Sequence, residues 1–175
     1  MLKKTVEVHP DYLIGRTQMA QFASQKGNFD EAWEWLKRAQ TAFEELGALA
    51  GIGQVLHYSG TMADQQGDYE RARTLYNQSL SIRLQIGDRR QASYLLGNLG
   101  IVARRQGDPG QARSLYEQGL AIRRELGDRW GVANALNNLG NLTLDQGDLS
   151  TARELLEEAV TIHRQLGDRW EIGNA

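Results

Sequence analysis

The stretch LGDRWGVANALNNLGNLTLDQGDLSTARELLEEAVTIHRQLGDRW, Leu126 to Trp170, opens and closes on the same five residues. Half-way along it stands QGD, Gln146 to Asp148. Followed outward, Gly27, Gly67, Gly107 and Gly147 form one series with a step of forty, and Gly47, Gly87, Gly127 and Gly167 form a second. Self-similarity at a fixed step of this size is the signature of a repeat architecture. The chain is punctuated every twenty residues.

The chemistry of each punctuation mark predicts helices between them. Glycine takes the left-handed C′ position that ends one helix, and a following Asp or Asn caps the next. Pro109 after Asp108 fits N1, with Gln111 at N3 as in a capping box, and Asn28 with Glu31 repeats that pairing. The segments predict helix A at about 10–26, 49–66, 89–106 and 129–146, and helix B at about 29–46, 69–86, 109–126 and 149–166. The B helices carry apolar residues in register, such as Leu75, Tyr76, Leu80 and Ile82, then Leu115, Tyr116, Leu120 and Ile122. Small residues recur too: Ala32, Ala72, Ala112 and Ala152, then Ala39, Ser79, Gly119 and Ala159. Small side chains let helices approach closely while large ones fill the gaps. The prediction is an antiparallel helix pair, repeated four times.

Composition narrows the function. The formal net charge of −2 gives no basic footprint for nucleic acid. Cysteine is absent, which excludes disulfide and thiol chemistry. The opening MLKKTVEVHP lacks an apolar core after its lysines, and no run is long enough to cross a bilayer. The expectation is a cytoplasmic protein with no membrane partner.

The in-register residues resemble the tetratricopeptide repeat. Its pattern of a large residue, Leu-Gly, Ala, aromatic or Leu, and Ala falls on Leu136, Leu139-Gly140, Ala152, Leu156 and Ala159. It falls again on Leu96, Leu99-Gly100, Ala112, Tyr116 and Gly119, and on Leu56, Ser59-Gly60, Ala72, Tyr76 and Ser79. The first repeat offers Met19-Ala20, Ala32, Leu36 and Ala39. The usual repeat is thirty-four residues with a closing proline; the forty-residue step without one resembles the variant in kinesin light chains, Leu-Gly-Asn-type adaptors and arrays attached to bacterial signalling proteins. The resemblance implies an all-α, right-handed α-solenoid with repeats at 8–47, 48–87, 88–127 and 128–167 and a truncated fifth helix A at 168–175.

In such a superhelix the A helices line a concave groove that holds a peptide. On the fourth A helix, Asn134, Asn137, Asn138, Asn141 and Asp145 fall within a stripe of roughly 100°. The third offers Tyr94, Asn98, Ile101, Arg104 and Arg105, the second Gln54, His57 and Thr61, the first Ile14, Thr17, Gln18, Gln21 and Gln25. An amide both donates and accepts, matching a peptide backbone. The resemblance carries main-chain binding to Asn137 and Asn141, with Arg104 and Arg105 expected beside Asn141. It implies no dicarboxylate clamp, because Gly97 and Ile101 stand at that clamp's main positions. Asn98 and Asn138 are also readable as structural, bonding a neighbouring helix. Arg73, Arg113 and Arg153 are expected to pair with acids, Arg123-Arg124-Glu125 to form solvated surface, and Trp130 and Trp170 to staple repeats. Trp33 and Trp35 cover an end or contact a neighbouring domain.

Enzyme chemistry finds no foothold. His9, His57 and His163 lack metal-ligand spacing, and no nucleophile elbow or phosphate loop is present, so neither catalysis, metal nor cofactor is expected. The sequence DRWEIGNA, Asp168 to Ala175, repeats DRWGVANA and reads as a helix cut short, leaving Val160, Ile162 and Leu166 incompletely covered. Three functions fit: a peptide-binding module, a self-assembling structural module forming a homo-oligomer through its C-terminal end, or a regulatory segment of a larger bacterial signalling protein.

Overall fold

Each twenty-residue step is one helix and one tight turn. The computed structural model describes residues 17–20, 23–24 and 26–172, the last five by backbone alone. Residues 17–20 and 23–24 are helical. They are followed by α1 (Phe29–Glu45), α2 (Leu49–Gln65), α3 (Tyr69–Gln85), α4 (Arg89–Arg105), α5 (Pro109–Glu125), α6 (Arg129–Asp145) and α7 (Leu149–Ile172). No strand occurs among the described residues. No helix there is long and apolar enough to cross a membrane.

The Gly67-Asp68 junction shows how one dipeptide serves two helices. The Gly67 N–H donates to the Asp64 carbonyl at 3.0 Å, and the Asp68 N–H to the Ala63 carbonyl at 2.9 Å. These are the paired bonds of a Schellman turn, and they require the left-handed φ of +78° found at Gly67. The Asp68 carboxylate then accepts from the Arg71 N–H at 3.1 Å, capping α3. Asp88, Asp108, Asp128 and Asp148 cap through Gln91, Gln111, Gly131 and Thr151 in the same way.

Two expectations about the junctions need correction. Asn28 makes no side-chain cap bond; its backbone still closes the turn, its N–H donating to the Ala23 carbonyl at 2.9 Å. At Gly167 the expected break is not made, and α7 runs on through it to Ile172. A left-handed turn gives up regular i→i+4 bonds, which elsewhere is offset by a following helix folding back against its partner. Among the described residues nothing packs back after Gly167, and the continuous helix keeps its bonds.

The chain forms two compact units, residues 1–86 and 87–175. In the first, α2 packs against both α1 and α3. In the second, α4 pairs with α5 and α6 with α7, α5 packs on α6, and α4 touches α6. An A helix therefore buries more than one face. Helix α4 buries nine residues, Ala92 to Ala103, whereas α3 buries only Ala72, Tyr76, Ser79 and Arg83. The recurrent alanines 32, 72, 112 and 152 are all fully buried. Ser79 donates to the Gly53 carbonyl at 2.6 Å, and a Cβ on Gly119 would lie 3.2 Å from the Ser93 carbonyl oxygen. Helix backbones meet there.

The Leu-Gly pair has an equally direct cause. A Cβ at Gly60 would lie 2.7 Å from the Tyr76 ring, one at Gly100 2.4 Å from the Tyr116 ring, and one at Gly140 2.7 Å from Leu156. Each glycine is the floor on which a large B-helix side chain lies.

Trp130 differs from expectation. Trp130, in the first turn of α6, is 55% exposed instead of buried between repeats; the Trp170 side chain lies outside the described residues. Trp33 and Trp35 are engaged inside their own unit. The Arg71 guanidinium stacks 3.8 Å above the Trp33 ring, whose Nε1 donates to Gln66, while Trp35 Nε1 donates to Glu31. Arg73 pairs with Glu70 and Arg153 with Glu157 as expected. Arg113 instead donates to Gln146 at 2.7 Å; behind the hydrogen bonds from Thr151, its charge helps to hold the Asp148 carboxyl below its usual range.

Gly100→Ala is expected to lower the free energy of unfolding by roughly 1–3 kcal/mol through overpacking against Tyr116. Because the first repeat pairs Ala20 with Leu36 at the same register, Gly100→Ala with Tyr116→Leu should lose less than the sum of the single losses. Urea titrations of the three variants measure this, and strictly additive losses would contradict the packing account.

Candidate functional site

The α6 helix sorts its residues by turn. Val132, Ala133, Ala135, Leu136, Leu139, Gly140, Leu142 and Thr143 are buried, which leaves Asn134, Asn137 and Asn138 half-buried and Asn141 exposed on the remaining face. Among the described residues these four amides make no side-chain hydrogen bond. The structural alternative for Asn138 therefore has no bond to rest on. Asp145, at the end of the stripe, is taken up: its Oδ2 accepts from Arg104 Nε. That bond holds the Asp145 carboxyl below its usual range and raises the Arg104 guanidinium. Arg104 is taken up by Asp145, one turn beyond Asn141 on the same helix.

On α4, Tyr94 and Asn98 are half-buried, Arg105 is exposed, and Ile101 packs partly onto the core of its unit. Beneath Tyr94 lies a residue the sequence reading missed. Arg123 of α5 is only 4% exposed. Its Nη1 donates to the Gly131 carbonyl at 3.0 Å, its Nη2 to the Ser93 carbonyl at 3.2 Å, and its guanidinium carbon sits 5.0 Å from the Tyr94 ring centre. Burial pulls its pKa below the ordinary value, with Tyr94 and Asp128 opposing. It is a structural cation, not solvated surface. The available signal was register: Phe43, Arg83, Arg123 and His163 share one position, and Arg83 is buried as well.

In the first unit, α2 brings His57, Tyr58 and Thr61 together, with Gln54 half-buried one turn before. The His57 and Tyr58 rings are 5.9 Å apart and parallel within 3°. Thr61 donates to the His57 carbonyl at 3.1 Å and accepts from the Tyr76 hydroxyl at 3.2 Å. Burial, with a smaller contribution from the Arg83 charge, lowers the His57 pKa to about 4. Thr17 is buried and Gln18 exposed; Ile14, Gln21 and Gln25 lie outside the described residues. No cluster of three or more histidines and carboxylates able to hold a metal occurs among the described residues.

Comparison with known proteins decides the family. The tetratricopeptide repeat model matches residues 13–85 and 91–165, and a second model of the same repeat matches 59–121. The chain belongs to the tetratricopeptide repeat family. Its fold class is all-α, a solenoid of antiparallel helix pairs. Similar solved structures include BtubC (BKLC) from P. vanneervenii, at TM-score 0.80 and 21% identity over 94% of this chain and 68% of that one. The nearly identical TPR-like repeats from P. anserina match at 0.70 and 19%, over 93% and 81%. Aspartyl phosphate phosphatase F from Bacillus subtilis matches at 0.84 and 14%, over 90% of this chain but 42% of that one. At these identities the likeness is one of fold. No curated protein matches the chain. Tetratricopeptide repeats generally mediate protein–protein interaction and form a scaffold without catalysis.

The His57 shift sets a pH window. With a folded pKa near 4 against 6.5 unfolded, its contribution to stability is complete above pH 6.5 and declines as pH falls toward 4, by up to roughly 3 kcal/mol. His57→Gln should abolish that window while the acid loss from carboxylates remains. Urea midpoints of both proteins between pH 7 and 4 give the comparison; parallel curves would contradict the burial of a neutral imidazole.

Proposed function

We propose that this chain is a cytoplasmic interaction module that holds an extended segment of a protein partner along its A helices, with neither nucleic acid nor membrane as partner. The observation that carries the reading is the row of amides on α6 without intramolecular bonds. Asn134, Asn137 and Asn141 stand on a helix that is otherwise mostly buried, and each keeps two donors and a carbonyl oxygen for a ligand. Asn137 and Asn141, one turn apart, engage the main chain of the bound segment. Tyr94, Asn98 and Ile101 on α4, which touches α6, extend the contact surface. In the first unit Gln54, His57 and Thr61 play the corresponding part. Arg104 and Asp145 neutralise one another, and Arg123 supports Tyr94 from below.

Asn137→Ala with Asn141→Ala is expected to weaken binding of a peptide selected on the wild-type chain from a random display library by about tenfold or more, the range for two lost hydrogen bonds. Circular dichroism should show unchanged helix content. A library that yields no binder, or a binder with equal affinity for both proteins, ends this reading.

A second reading, self-association through the last helix pair, is favoured by one observation. Leu144, Leu149 and Val160 are 40%, 69% and 44% exposed and line one open groove with Leu156. On that reading sedimentation shows a mass rising with concentration, and Val160→Glu restores the monomer. A wild-type mass independent of concentration excludes it.

A further inference from the structure

A cavity of about 140 Å³ lies between the helical residues 17–20 and 23–24, α1 and α2, lined by Ala20, Ser24, Leu36, His57, Tyr58 and Thr61 among others. The repeats themselves explain its shape. Forty residues on from Ala20 and Leu36 stand Gly60 and Tyr76; forty further on stand Gly100 and Tyr116. In both later pairs the tyrosine ring lies on the glycine, and Tyr116 is only 1% exposed. One bond of the surroundings recurs at the same register in the two units, with different chemistry. Above Tyr116, Arg104 reaches Asp145; at the same register in the first unit, Ser24 donates to Gln65 at 2.9 Å. The ring differs, and so does the wall, where His57, Tyr58 and Thr61 stand at the register of Asn137, Asn138 and Asn141. Leucine at position 36 carries no ring and lines the cavity instead.

We infer that this cavity receives one aromatic side chain, a phenylalanine or tyrosine, of the partner segment. The inference rests on the groove reading above, because His57 and Thr61 belong both to the cavity wall and to the proposed contact surface. Size agrees, since an apolar cavity of about 150 Å³ holds benzene in another protein. The wall agrees as well. His57 is kept neutral by burial and by Arg83, so no charge must be desolvated when the ring enters. The parallel His57 and Tyr58 rings in the wall offer aromatic surface to an aromatic guest. The hydroxyls of Ser24 and Thr61 give a phenol oxygen polar neighbours.

Phenol and benzene are the probes, titrated into the whole chain and followed by amide NMR. Saturable shifts are expected at Ser24, His57 and Thr61. Leu36→Tyr combined with Ala20→Gly supplies the ring and floor of the later repeats, and should weaken phenol binding by at least about tenfold, as loss of one ring site implies. Ser24→Leu fills the cavity from the opposite wall and serves if that variant does not fold. Absence of saturable shifts at these residues in the folded wild type, or unchanged phenol affinity in a folded filling variant, overturns the inference. Asn137→Ala with Asn141→Ala should leave phenol binding intact, which separates this test from that of the groove. A selected peptide that tolerates replacement of every aromatic residue by alanine would overturn the aromatic pocket while leaving main-chain binding by the amides standing.

Discussion

Helix termination and helix initiation fall on adjacent residues, and that coincidence sets the geometry of everything else. A glycine in the left-handed region satisfies the last carbonyls of one helix, and the aspartate beside it satisfies an N–H of the next. No spare residue intervenes, so α1 through α6 are each seventeen residues long and separated by three. A helix turns by a fixed angle per residue; equal lengths therefore return the same face to the same neighbour at every step. That is why Ala72, Ala112 and Ala152 can all be fully buried, and why a single glycine register can serve as the floor for a large side chain three times over.

Once register is fixed, each helix pair must divide one small volume between an A-helix residue and a B-helix residue. Glycine with tyrosine fills it in the second and third repeats, and glycine with leucine stands in the fourth. The first repeat has alanine with leucine, and the methyl added on one side does not replace the ring removed from the other. Close packing leaves few voids larger than water in a well-filled interior, so an unfilled place of this size points to a local change of composition. The same reasoning gives meaning to an unremarkable substitution: Leu36 is an ordinary core residue by itself and a vacancy only by comparison with Tyr76 and Tyr116.

The division of the sequence into helices was legible because its signals are local. Glycine, aspartate and proline act through their own dihedrals and side chains, and six of the seven helix pairs of boundaries fall within about a residue of those expected. The amide stripe was legible for the same reason, as it depends only on spacing along one helix. What escaped depends on groups distant in sequence. Arg123 sits in a charged triplet that reads as solvated, yet its burial is made possible by carbonyls of Ser93 and Gly131 on two other helices. Trp130 has the composition of a core residue and a position that denies it one. Gly167 carries the same local motif as its predecessors, yet the helix runs on through it to Ile172.

These distant contacts also bear on what kind of surface the A helices offer. Read as a string, α4 presents four arginines and no acid, which suggests a cationic face. In the folded chain Arg104 is bound to Asp145 and Arg90 lies 3.7 Å from the buried Asp128, while Arg123 beneath them is spent on backbone carbonyls. The residues left with unused hydrogen-bonding capacity on α6 are neutral amides. Amides recognise main chain, which every peptide has, so on the proposed reading they supply grip without selectivity. Selectivity then has to come from features with the dimensions of a single side chain. In the first unit, where the amide stripe gives way to imidazole, phenol and hydroxyl, such a feature is present, and its neutral wall would favour a ring over a charge.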